Sequence, residues 1–211
     1  VIPVQAWTRY GIGKENIVQY RALDPVVWLK GFRPNPHILD DLGLDRTLQV
    51  VTIRSAEHQA AYLYNQTVAS KLDVRVSEAL IQRLPNLQVV LLPRYDRAPH
   101  LRRIVSERVV VPSTVVDSPS LLCNSDLFIG AGGTMTAEAA LLGVPTISCY
   151  PSEPTYIDRY LVRQGLLTRE TRMNHIVRMS LRLLAKKEED KRRAKARMLL
   201  NKMEDPLAYI E

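Results

Sequence analysis

Apolar residues in this chain fall into short unbroken runs, set apart by stretches with helical spacing. Leu48-Gln-Val-Val-Thr-Ile53, Leu87-Gln-Val-Val-Leu-Leu92, Arg108-Val-Val-Val-Pro112, Leu127-Phe-Ile129 and Pro145-Thr-Ile-Ser-Cys149 each have the length and β-branched content of a buried strand. Between them, residues 57–84 fit one long or two short helices, residues 118–123 a short one, and residues 134–142 a helix of strong formers ended by Gly143. Residues 174–202 are helical by composition, which predicts a long C-terminal helix. Strands of this length alternating with helices make β-α units, so the expected fold is α/β with a doubly wound parallel sheet. Ligands of such sheets bind at the carboxyl ends of strands. The residues that follow the strands are therefore the candidates: Arg54 and Glu57, Arg94 and Tyr95, Asp117, the Gly132 turn, and the stretch 150–153.

The Gly132 turn carries the strongest chemistry. An apolar run ends at Gly130, Gly132 and Gly133 give a turn without side chains, and an alanine-rich helix starts at Thr134. The first backbone N–H groups of a helix lack internal partners and sit at the positive end of its dipole, which favours an anion such as a phosphate. Glu138, one turn further on, is spaced to accept hydrogen bonds from sugar hydroxyls beside that phosphate. The same pattern also fits a strand-to-helix turn that binds nothing. A dinucleotide fingerprint would need glycine where Met135 stands, and no G-x-x-x-x-G-K-[ST] run is present, so NAD and P-loop chemistry are disfavoured.

Composition narrows the class. With 211 residues, 46% hydrophobic and 24% charged, the chain can bury a full core. No apolar stretch reaches the length of a membrane span and no signal sequence is recognisable, so a soluble, cytoplasmic protein is expected; the start at Val1 suggests a fragment. Cys123 and Cys149 are too few for a disulfide framework or metal cluster and are expected as buried thiols; no cofactor or metal is predicted. His37, His58, His100 and His175 do not cluster, and only His58, near the end of the first strand, stands close to the candidate site. The net charge of +7 suits nucleotide phosphates, acidic lipid or nucleic acid. Within it, the mixed-sign run at 186–193 reads as a solvated helix with i,i+4 pairs, or as a basic surface. Nucleic acid is disfavoured because no aromatics interleave with the basic residues.

Taken in order, the segments Tyr10-Gly-Ile-Gly-Lys-Glu15, Gly31-Phe-Arg-Pro-Asn35, Leu91-Leu-Pro-Arg94, Val116-Asp-Ser118, the glycine turn with its helix through Gly143, and Tyr160-Leu-Val-Arg-Gln-Gly165 resemble the C-terminal domain of the GT-B glycosyltransferase superfamily. Most similar is an archaeal domain-of-unknown-function family of predicted glycosyltransferases, related to UDP-N-acetylglucosamine 2-epimerase. The resemblance implies a Rossmann-like domain that holds a nucleotide-sugar donor, with UDP foremost. It implies that Gly132, Gly133 and Thr134 hold the diphosphate and that Glu138 binds the ribose. Arg54 is a candidate diphosphate clamp because a guanidinium fork matches phosphate oxygens, although a surface arginine near the sheet edge explains it equally well; Arg94, at the next strand end, is a candidate substrate-binding residue for which a structural salt bridge or helix cap is at least as good an explanation. Asp117 reads as a helix cap at least as readily as a ligand contact. The implied division is residues 1–36 as the end of a preceding domain plus linker, 37–173 as the nucleotide-sugar domain, and 174–211 as a C-terminal helical segment.

The departures from that pattern bear on function. The epimerases resembled here run from the first strand into Thr-x-His-Arg, whereas this chain has Thr52-Ile53-Arg54; and Tyr150-Pro-Ser-Glu-Pro154 replaces their Thr-Glu-Arg-Pro-Glu. Both count against epimerase chemistry. The expected function is the donor-binding half of a glycosyltransferase, incomplete for turnover by itself, with an epimerase-like isomerase or hydrolase and a non-catalytic nucleotide-binding module as alternatives. The acceptor is left open. A lipid-linked glycan is one candidate and would bring the basic helix against a membrane.

Overall fold

A computed structural model of the chain describes residues 5–56, 72–93, 106–185 and 189–209. Its strands are β1 (Gln49–Arg54), β2 (Leu87–Leu92), β3 (Val109–Val110), β4 (Leu127–Gly130), β5 (Thr146–Ser148) and β6 (Thr168–Arg169). All pair in parallel in one sheet of order β3-β2-β1-β4-β5-β6. The helices are α1 (Gln5–Thr8), α2 (Val26–Leu29), α3 (Ile38–Asp41), α4 (Leu72–Arg83), α5 (Ser118–Cys123), α6 (Thr134–Leu141), α7 (Tyr156–Arg163), α8 (Met173–Ala185) and α9 (Glu189–Lys202).

The strand runs are apolar on both faces because both faces are covered. Val51, Ile53, Val89, Leu91, Leu127 and Ile129 form one cluster with Val76 and Leu80 of α4 and Ile176 and Val177 of α8. Their alternate neighbours Val50, Val90 and Leu92 pack the other way, with Leu121 of α5 and Ile38 and Leu39 of α3. Phe128 is fully buried on that side against Leu122, Ala139 and Val144. The buried polar residue of β1, Thr52, is satisfied by a 2.8 Å hydrogen bond between its hydroxyl and that of Ser125. This is the doubly wound α/β arrangement expected, and the stretch expected to be helical toward the C-terminus forms α8 and α9, followed by one short turn of helix at Pro206–Tyr209.

Local chemistry sets the helix starts. Asp117 caps α5, accepting from the Ser120 N–H at 3.3 Å and the Ser120 hydroxyl at 2.5 Å, which agrees with its reading as a cap. Thr155 and Asp158 form a reciprocal capping box at α7, a helix and cap that the sequence reading did not include. The short edge strand β6 was likewise not foreseen, and β3 spans two residues rather than the five-residue run. Of the stretch 57–84, the described part is helical from Leu72.

Around α6 the packing is close on every side, which is why its sequence is rich in alanine. Ala137, Ala140 and Leu141 share one cluster with Leu161 of α7, Ala196 and Leu200 of α9, and Ala22, Leu23, Val26 and Leu29. A side chain at Gly143, just past α6, would put its Cβ 2.6 Å from the Arg193 Cα, so the glycine lets the α9 backbone cross there. Residues 22–29, read from the sequence as tail or linker, thus contribute buried side chains beside α6.

Candidate functional site

The chain runs from β1 to β2 and β3 on one side and then returns to β4 on the other side of β1. Strand order reverses there, the place where ligands of doubly wound sheets bind; the hollow at these carboxyl ends, lined among others by Arg54, Asp73 and Cys149, is small, about 20 Å³. Arg54 ends β1 and Gly130 ends β4, and the two residues face each other in register. Sheet topology thereby brings together Arg54 and the glycine turn, which are 76 residues apart in sequence number and only adjacent in the fold.

The turn itself is built on backbone conformations that side chains disfavour. Gly132 has φ 78° and Gly133 φ 84°, both in the region open to glycine. Gly132 is buried with its Cα against the Tyr150 ring, where an added Cβ would lie 3.4 Å from Cδ2. Gly133 and Thr134 are exposed. Gly133 is the residue before α6 and supplies no side-chain cap. Its carbonyl accepts from the N–H groups of Thr136 and Ala137 at 3.2 and 3.3 Å, and the Thr136 hydroxyl donates to the Gly132 carbonyl at 3.0 Å. The N–H groups of Thr134 and Met135 belong to the first turn, which no helix satisfies from within. An exposed, side-chain-free helix start of this kind is suited to an anion.

Glu138 is 7% exposed, more enclosed than a carboxylate waiting at an open surface. Its Oε1 accepts from the indole Nε1 of Trp28 at 3.0 Å, and its Oε2 lies 3.5 Å from the Ser118 hydroxyl. Burial pushes the carboxyl above the ordinary glutamate value, and the hydrogen bonds from Trp28 and Ser118 pull it partway back. Both of those partners are uncharged. Trp28 and Ser118 were not read from the sequence as partners of Glu138; they lie 110 and 20 residues away from it, and no local spacing signals either pairing.

Arg54 is half-buried and donates from Nη1 to the Pro93 carbonyl at 2.8 Å, so its guanidinium bridges the ends of β1 and β2. Arg94, Glu57, Tyr95, His58 and His100 lie outside the described residues. His175 Nδ1 lies 3.2 Å from Glu170, and His37 Nδ1 lies 3.7 Å from Asp40 beside α3. Cys123 and Cys149 are partly buried, and removal of the Cys149 sulfur from water pushes its thiol up to about 12, which keeps it unreactive at neutral pH. Among the described residues, no three His, Cys, Asp or Glu side chains come together as a metal site, and no helix is long and apolar enough to cross a membrane.

Two hollows lie elsewhere. One of about 560 Å³ opens at the amino ends of β1 and β4, between Gln49, Asp126 and Arg193, at the end of the sheet opposite the glycine turn. Another of about 320 Å³ is lined by Trp7, Ile12, Tyr20, Leu23 and Ile157, none of them a predicted site residue.

Comparison with known proteins adds the family. Residues 2–210 match the family described as protein of unknown function (DUF354). The chain belongs to that family. An uncharacterised protein of Methanocaldococcus jannaschii, MJ0665, is 33% identical over 150 residues, covering 71% of this chain and 42% of the relative. Among solved structures, a Listeria monocytogenes protein assigned as a UDP-N-acetylglucosamine 2-epimerase superposes with TM-score 0.59 at 18% identity, over 80% of this chain and 43% of that one. The spinosyn rhamnosyltransferase SpnG in complex with thymidine diphosphate superposes with TM-score 0.57 at 20% identity, over 78% and 44%. The DUF354 chain thus shares its α/β fold with part of each of these two structures and spans less than half the length of each of the three proteins named.

Proposed function

We propose that this chain is the C-terminal, donor-binding half of a GT-B glycosyltransferase, which holds the diphosphate and ribose of a nucleotide-activated sugar, UDP-sugar foremost. The observation that carries the reading is a pair of positive-φ glycines at the point where strand order reverses, opening a helix with no side-chain cap and with a buried carboxylate one turn in. Gly132, Gly133 and Thr134 would cradle the diphosphate through backbone N–H groups, with Arg54 and Arg94 as flanking cations. Glu138 would accept from the ribose hydroxyls. In this reading residues 1–36 are the end of a preceding domain and linker, 37–173 the nucleotide-sugar domain, and 174–211 the closing helical segment of a cytoplasmic protein.

The chemistry asked of this half is electrostatic. As the glycosidic bond breaks, negative charge grows on the diphosphate leaving group, and fixed N–H dipoles and a guanidinium stabilise the transition state more than the ground state. The base that activates the acceptor would come from outside this chain. Calorimetric titration with UDP, dTDP, GDP and their sugars tests the reading. Saturable binding of one nucleotide, abolished in Glu138→Ala, is the expected result; no heat with any of them would reject it. Full-length protein assayed with and without acceptor separates transfer from the alternative, since UDP released without an acceptor would assign epimerase or hydrolase chemistry.

A further inference from the structure

The indole of Trp28 is 40% exposed, yet its N–H is aimed at the buried carboxylate one turn into α6. The backbone that carries it is tied down on both sides. Val26 and Leu29 are buried in the cluster that includes Ala137, Ala140 and Leu141 of α6. The Arg21 N–H donates to Glu204 at 2.6 Å and the Lys30 ammonium to the Met203 carbonyl at 2.5 Å, which fixes the flanks of α2 to the end of α9. Such anchoring holds a hydrogen-bond donor in place without the ordering cost of a mobile side chain. The carboxylate it meets has one oxygen engaged at 3.0 Å and the other only loosely approached by Ser118 at 3.5 Å. An ionised carboxylate offers about four acceptor positions, so Oε2 keeps capacity for an incoming hydroxyl.

We propose that Trp28 is the positioning residue for Glu138: the indole N–H pins Oε1 and turns Oε2 toward a ligand hydroxyl, so that α2 and α6 form one ligand site and occupancy is sensed at the indole. The ligand's identity, a nucleoside diphosphate, rests on the donor-site reading above; the pinning of Glu138 does not. Trp28 acts through Glu138, and a purely structural tryptophan would show none of the signatures that follow.

The test uses Trp28→Phe, which keeps aromatic bulk and deletes the N–H, with its melting curve recorded to establish folding. In calorimetry with UDP and dTDP, Trp28→Phe is expected to bind at least about tenfold more weakly, the scale of one lost hydrogen bond to a charged group. Its loss of affinity on acidification should set in at higher pH than in the unsubstituted chain, because the N–H favours the ionised carboxylate. In a Trp7→Phe background, UDP should change the emission of Trp28, now the single tryptophan. The Glu138 side-chain carboxyl, followed by NMR titration in the absence of nucleotide, should titrate at higher pH in Trp28→Phe. Equal affinity, equal pH limbs and an unchanged carboxyl titration would overturn the proposal. If no nucleotide binds the unsubstituted chain but the carboxyl titration still moves, the donor reading falls and the pinning of Glu138 stands.

Discussion

At the scale of the residue, the glycine turn and Glu138 both run against stability, each in its own way. Two successive residues at positive φ admit almost nothing but glycine, and a Cβ at Gly133, whose φ 84° and ψ −174° fall in a region almost only glycine occupies, costs about 1–3 kcal/mol. Gly133→Ala is expected to lower the melting temperature modestly and to weaken nucleotide binding more than that loss explains, because the new methyl group stands where an anion would approach. Glu138 is penalised by burial. Its folded value is raised above the ordinary 4.5, so the folded state holds the proton more tightly than the unfolded chain does. Stability from this group is fully present below 4.5 and is lost as pH rises through the folded value. Glu138→Gln does not titrate there; its melting temperature relative to the parent should climb as pH rises from 4 to 7, while nucleotide binding disappears. A Gln variant that melts lower at pH 7 than at pH 4, relative to the parent, would contradict the burial penalty.

At the scale of the element, caps and close crossings decide which helices hold the site in place. Loss of the Thr155 hydroxyl removes one half of the box that starts α7, and Thr155→Ala should cost about 1 kcal/mol in chemical denaturation while nucleotide affinity stays within twofold of the parent. Gly143 is a different case. A methyl group there meets main chain of α9 at 2.6 Å and requires φ 79°, so neither a rotamer change nor a side-chain shift relieves it. Gly143→Ala should therefore cost at least about 2 kcal/mol and loosen α9 against α6, read as faster amide exchange in both helices. The contrast separates a local end effect from a packing constraint.

At the scale of the whole molecule, α9 is the cover of the α6 side of the sheet. Ala196, Leu200 and Met203 are buried against α6 and the segment 22–29, and Arg193 donates to the Cys123 carbonyl at 2.9 Å. Removal of residues 189–211 would expose those partners together with the segment that carries Trp28. The expected outcome is loss of a single cooperative thermal transition and of nucleotide binding, and a truncated chain that melts like the parent would show α9 to be an appendage. The net charge of +7 belongs to this scale too. It raises the local concentration of any anion, and binding of a nucleoside diphosphate should weaken as salt rises.

How much of this was legible follows from what is local and what is not. The sequence by itself determined the α/β class, four of the strands to within a residue or two, the cap at Asp117 and the glycine turn with its helix, because period, β-branching, capping residues and positive-φ glycines act over a few positions. The strand order, the meeting of Arg54 with Gly130, and the burial of Glu138 under Trp28 came only with the tertiary structure. The physical reason is that these depend on which faces are covered and by what. An apolar run announces that it will be buried, but nothing within it names the residue, 110 positions away, that donates to its neighbour's carboxylate.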